Sequence, residues 1–174
     1  MTSDAPKITL LVIRHAHRDV QNPRDDNSLS PRGHKQSKAL SKAILERWGP
    51  SCPWTLISSP KLRCQETLEC LAESLKTDVI IDPDLDEQSY NESNRDMTDR
   101  IDRFLTKILS KTDDEKPYFF ALCSHGDWIP LFQELVMGQG EAISKADAFL
   151  FEKREAAPWH FQHLKLNSLE KYSG

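Results

Sequence analysis

The sequence predicts an α/β fold, a three-layer αβα sandwich built around a mainly parallel sheet. Two apolar runs, Ile8–Ile13 and Tyr118–Cys123, are short and uninterrupted, as expected of strands buried on both faces in a parallel sheet. Between and beyond them, strand-like segments alternate with stretches of helical periodicity, the pattern of a parallel sheet covered by helices on both sides. No linker, repeat or low-complexity tract divides the 174 residues, so a single domain over residues 1–174 is expected.

Residues 7–14 read as the first strand, followed by a loop rich in Asn, Asp and Pro from Asp19 to Ser30. Ser30 before Pro31 suits an N-cap followed by proline at the first helical position. Ala39, Leu40, Ala43, Ile44 and Trp48 then recur at helical spacing until Gly49-Pro50 ends the helix. Trp54–Ser58 is a second strand, Pro60 opens a second helix bearing Leu62, Leu68, Leu71 and Leu75, and Asp78–Ile81 is a short third strand broken by Asp82-Pro83. Asp84–Asn94 is polar and reads as a loop. Met97, Ile101, Phe104, Leu105 and Ile108 mark a helix over 95–110; residues 117–124 form the fourth strand and Trp128–Met137 the helix after it. Two further strands, Phe149–Glu152 and His160–Leu166, flank a short Ala-Ala-Pro connection and can join the sheet edge antiparallel. The last few residues are expected to fray.

A hydrophobic content of 38% with 29% charged residues is that of an ordinary globular protein. The net charge of −4 argues against nucleic acid or an anionic membrane as a partner, since both require a basic surface. It leaves room for a local basic pocket. The four cysteines contain no CxxC pair and read as reduced, mostly buried thiols of a cytoplasmic protein. The opening residues lack an apolar signal core, and no run reaches membrane-spanning length.

Both long apolar runs end on a histidine: Arg14-His15-Ala16 after the first strand and Ser124-His125-Gly126 after the fourth. Ligands of open α/β sheets sit beyond the carboxyl ends of the strands. The same edge collects His17, Ser58-Ser59-Pro60 with Arg63, Leu85-Asp86-Glu87 and Asp127. Two histidines, two arginines and a carboxylate around one crevice are an inventory for phosphoryl transfer, where catalysis is mostly positioning and electrostatic stabilisation. Arginine matches phosphate geometry as a planar charged fork. A neutral imidazole can attack phosphorus, neighbouring arginines disfavour its charged form, and a carboxylic acid can protonate the leaving oxygen. The His15-x-His17 spacing also occurs in metal hydrolases, but adjacent arginine opposes a cation site; no metal or other cofactor is expected.

Four segments in this order resemble the histidine phosphatase superfamily, which includes the phosphoglycerate mutases that use a histidine nucleophile. Arg14-His15-Ala16 resembles its Arg-His-Gly signature with alanine in the glycine place. Leu29–Ser37 is similar to the segment opening its first helix, Ser58–Thr67 to the stretch with its second phosphate-binding arginine, and Ser124-His125-Gly126 to that holding its second histidine. The resemblance runs from about residue 8 to 137 and implies a phosphoglycerate mutase-like fold. It implies His15 as nucleophile, with Arg14, Arg63 and His125 holding the phosphoryl oxygens. Glu87 matches the acidic position, with Asp86 and Asp127 as alternatives. Arg18, where the family usually has threonine, is either a further phosphate contact or a surface charge. Glu66 stands for a frequent glutamine, without consequence for the chemistry. Alanine at position 16 resembles small members akin to bacterial protein-phosphohistidine phosphatases, and the chain is short for the insertion typical of mutases. The implied function is metal-independent hydrolysis of a phosphorylated small molecule or phosphoprotein through phosphohistidine on His15. The alternatives are a non-catalytic phospholigand-binding module or a mutase-like phosphotransferase.

Overall fold

The computed structural model describes residues 5–21, 26–113 and 115–166. Six strands, β1 (Ile8–Arg14), β2 (Trp54–Ser58), β3 (Val79–Ile81), β4 (Tyr118–Ser124), β5 (Ala148–Lys153) and β6 (His160–Leu164), form one sheet in the order β3-β2-β4-β1-β5-β6. The first four strands across the sheet are mutually parallel. β5 runs antiparallel to β1, and β6 antiparallel to β5, so the C-terminal pair forms the antiparallel edge.

Successive strand residues point to opposite faces, and here each face has its own core. Leu10 and Val12 of β1, Phe120 and Leu122 of β4, and Phe149 and Phe151 of β5 pack on one side. Leu11, Ile13, Ala121, Cys123, Ala148 and Leu150 pack on the other. Helices α3 (Asn94–Leu109) and α4 (Trp128–Met137) cover the first face through Met97, Ile101, Phe104, Ile108, Trp128 and Phe132. Helices α1 (Pro31–Trp48) and α2 (Leu62–Leu75) cover the second through Leu40, Ile44, Leu68 and Leu71. The strands read as apolar runs because both of their faces are sealed.

Ser30 caps α1, its side chain accepting from Gly33 N at 3.1 Å, with Pro31 at the first helical position. Gly33 is required by close approach: a Cβ there would lie 2.0 Å from the carbonyl oxygen of His17. Helix α2 begins at Leu62 rather than Pro60. Lys61 keeps extended backbone (φ −67, ψ 135), and the Leu62 N–H is taken by Asp26 Oδ1 at 2.6 Å. That cap comes from a segment 36 residues away, beyond the reach of local sequence reading. Helix α3 starts at Asn94 because Ser93 and Asp96 close a reciprocal capping box. The polar segment before it contains a 3-10 turn, Pro83–Leu85, and β6 stops at Leu164. The frayed end expected from the sequence lies outside the described residues.

All four cysteines are free; Cys64 and Cys123 are buried, whereas Cys52 and Cys70 are half-buried. Among the described residues no helix is long and apolar enough to cross a membrane.

Candidate active site

The register of the two central parallel strands sets the site. Arg14 of β1 pairs with Ser124 of β4, so His15 and His125 are the next residue on each strand. The bond from His15 N to Ser124 O, 3.0 Å, continues the ladder past the strand ends. The two imidazole rings lie with centroids 5.4 Å apart.

His15 is 5% exposed. Its Nδ1 lies 2.8 Å from Ala16 O, and a carbonyl only accepts, so Nδ1 carries the proton and Nε2 keeps its lone pair. Burial, the main cause, lowers its pKa to about 3; the charges of Arg63, Arg14 and Lys145 add to this and the Ala16 bond opposes it. The ring is therefore neutral at ordinary pH. Thr67 fixes the loop beneath it, its Oγ1 accepting from Ala16 N at 2.9 Å and donating to Arg63 O at 2.6 Å. Ala16 itself is fully buried with Leu29 and Ala146, which gives its methyl group a packing role that glycine lacks.

His125 is 2% exposed. A guanidinium only donates, so the long contact from Arg63 Nη2 to His125 Nδ1, 3.5 Å, makes Nδ1 the acceptor. Nε2 then donates to Ser59 Oγ at 2.8 Å, and Ser59 in turn donates to Asp86 Oδ1 at 3.3 Å. Burial, with His15 and the cations of Arg63, Lys61 and Arg14, pushes the His125 pKa down to about 2.

Arg63, in the first turn of α2, is 1% exposed and donates from Nη2 to Glu87 Oε2 at 2.7 Å. Glu87 also faces Lys61 Nζ at 3.7 Å and His125 Nδ1 at 3.7 Å. Arg14 is half-buried and donates from Nη1 to Ile143 O at 2.6 Å. Its buried Nε has no hydrogen-bond partner among the described residues. The guanidinium passes so close over Gly126 that a Cβ there would sit 2.8 Å from Arg14 Cζ.

These groups surround a cavity of about 320 Å³ lined by Arg14, His15, Arg18, Arg63, Glu87, Asp127 and Lys145. Of the residues singled out from the sequence, Arg14, His15, Arg18, Arg63, Glu87 and Asp127 line it. His125 packs against His15 and Arg63, Ser59 and Asp86 stand behind His125, and His17 lies away from the lining. The three carboxylates differ. Asp86 Oδ1 accepts from Glu87 N at 2.9 Å and Asp127 Oδ2 from Gln88 N at 2.9 Å, whereas Glu87 reaches the buried guanidinium. His17 lies at the α1 cap, with Nδ1 2.7 Å from Ser30 Oγ. Glu66 shapes the structure beside the site, accepting from Leu29 N at 2.6 Å and Ser28 Oγ at 2.8 Å.

Sequence reasoning missed three features. Lys145 belongs to no motif. Arg100 clamps the acidic loop: Nε and Nη2 bond Glu92 at 2.8 Å each, and Nη1 reaches the carbonyls of Asp84 and Asp86 at 2.8 and 2.9 Å. Trp128 Nε1 adds a bond to Asp84 O at 2.7 Å, and Ser124 Oγ one to Leu85 O at 2.7 Å.

Against known proteins, residues 10–92 match the model of the histidine phosphatase superfamily (branch 1). The fold and the matched segment are those of the histidine phosphatase superfamily. That segment contains Arg14, His15, Arg63 and Glu87, while His125 lies beyond it. Among curated proteins none matches. Among solved structures, the mycobacterial glucosyl-3-phosphoglycerate phosphatase superposes with a TM-score of 0.74 at 17% identity, covering 92% of this chain and 98% of that one. A phosphoserine phosphatase variant from Entamoeba histolytica, in complex with phosphoserine, gives 0.73 at 14% identity, covering 93% and 99%. A structure described as mycobacterial hydrolase 1 gives 0.74 at 17%, covering 88% and 96%. At such identities the likeness speaks for the histidine phosphatase fold.

Proposed function

We propose that this chain, acting as one domain over residues 1–174, is a phosphatase that works through a phosphohistidine intermediate on His15. The observation that carries the reading is the His15 tautomer. Nδ1 is committed to Ala16 O, and burial keeps the ring neutral, so Nε2 is a nucleophile at neutral pH in a cavity walled by arginine.

Arg14 and Arg63 bind the phosphoryl oxygens as charged forks. His125 joins them as a donor in the tautomer with the proton on Nδ1, reached once Arg63 turns to the phosphate and Ser59 Oγ donates to Nε2. As Arg63 turns to the phosphate, its hold on Glu87 weakens and the carboxyl is available for proton transfer. His15 Nε2 bonds to phosphorus while the bond from phosphorus to the leaving oxygen breaks, and Glu87 in its acid form gives that oxygen a proton. In the second half, water attacks the phosphohistidine, Glu87 takes its proton, and the phosphorus–nitrogen bond breaks to release phosphate and restore His15. The permanent charges of the arginines neutralise the transferred group, which makes the reaction metal-independent. Glu87 has this role rather than Asp86 or Asp127 because it contacts the guanidinium that holds the phosphate. The phosphatase names among the structures of like fold agree with this reading.

The test is rapid acid quench of enzyme mixed with a radiolabelled phosphomonoester. Protein-bound label is expected to survive alkali and be lost in mild acid, turnover is expected to resist chelators, and His15→Ala is expected to abolish both trapping and turnover. Full turnover by His15→Ala would overturn the assignment. Binding of phosphate esters by the wild type without turnover of any ester would make the chain a binding module instead.

A further inference from the structure

We infer that Lys145 and Arg18 form a second anion-binding position beside the transferred phosphoryl group. The preferred substrate is then a small phosphate ester carrying another anionic group, a carboxylate or a second phosphate. This rests on the phosphatase reading and narrows its substrate class.

The cavity wall carries two cations besides the two arginines assigned to the phosphoryl group. Arg63 is faced by Glu87, and Arg14 is bonded to Ile143 O with Asp127 offsetting its charge. Lys145 and Arg18 line the same cavity, and among the described residues neither side chain has a hydrogen-bond or ion-pair partner. Half-buried Lys145 lies in the field of Arg14, Arg18, Arg32 and Arg63, which, after burial, disfavour its charged form. An anion placed among these groups relieves that repulsion.

Both cations are carried by backbone fixed to the nucleophile. Arg14 N donates to Asp147 O and Ala146 N to Arg14 O, each at 3.1 Å, so the segment bearing Lys145 is laced to the end of β1. Ala146 holds φ at +62, a left-handed conformation that a residue with a β-carbon rarely adopts. Arg18 is held by its bridge to Leu29, itself tied down by Glu66. Two positive groups at fixed positions beside a reacting phosphoryl group select for charge at a fixed separation.

The test uses a matched series: propyl phosphate, 3-phosphooxypropanoate and propane-1,3-diyl bisphosphate. Wild-type kcat/KM is expected to be at least about tenfold higher for one of the doubly anionic esters than for propyl phosphate, and the favoured ester tells carboxylate from phosphate. Lys145→Met and Arg18→Met are each expected to reduce that ratio about tenfold, whereas Lys145→Arg retains most of it. Equal kcat/KM across the wild-type series, or a uniform loss on all three esters in Lys145→Met, overturns the second position. If no ester turns over, the phosphatase reading fails by itself. Calorimetric binding of the same esters then decides the subsite: tighter binding of a doubly anionic ester that Lys145→Met removes supports it, and equal affinities overturn it.

Discussion

Lowering the pH from 7.5 to 5.0 is expected to destabilise this protein in a way traceable to His15. An unfolded histidine titrates near 6.5, whereas folded His15 is lowered to about 3. Between those values the unfolded state binds a proton that the native state does not, so stability falls as pH falls. The stabilising condition is fully present above about pH 6.5 and is lost progressively toward pH 3. Each pH unit in this window is worth about 1.36 kcal/mol per group, which gives about 2 kcal/mol for His15 at pH 5.0. His125, lowered to about 2, adds a similar amount. A combined loss of about 4 kcal/mol is large against the 5–15 kcal/mol typical of a domain. The assay is urea unfolding at both pH values on wild type and His15→Asn, whose amide can still donate to Ala16 O but does not titrate. The variant is expected to lose about 2 kcal/mol less than wild type between the two conditions. Equal losses would show that His15 is not held neutral by burial.

Two substitutions probe the phosphate cradle. Arg63→Met is expected to lower kcat by roughly 10²–10³, the usual effect of deleting one charge-stabilising donor, measured with a chromogenic phosphate ester. Gly126→Ala places a methyl 2.8 Å from Arg14 Cζ; displacing that guanidinium by about 1 Å is expected to cost about 10²-fold in kcat/KM, with a thermal melting temperature close to that of wild type.

The elements legible in the sequence were those whose signals are local. α1 and α4 begin and end where the apolar periodicity and flanking residues place them, and β1 and β4 stand out because both of their faces are buried. Arg14, His15, Arg63 and His125 were legible because each follows directly on a strand end or a helix start. The rest is tertiary. Asp26 caps α2 across 36 residues, Arg100 clamps the acidic loop from a different helix, and Lys145 comes beside His15 only because β5 pairs with β1 in reverse direction. A lysine in a connecting segment has no periodicity or motif to mark it. The glycine-to-alanine change at position 16 was visible, but its burial against Leu29 and Ala146 was not.

The shared register of β1 and β4 makes the chemistry brittle to one kind of mutation and indifferent to another. Lengthening a surface connection leaves Arg14 opposite Ser124. Inserting one residue within either strand shifts the following histidine by about 3.3 Å and turns it to the opposite side of the pleat. Insertions and deletions compatible with activity should therefore accumulate between the strands, and the spacing inside them should be the last thing such a lineage gives up.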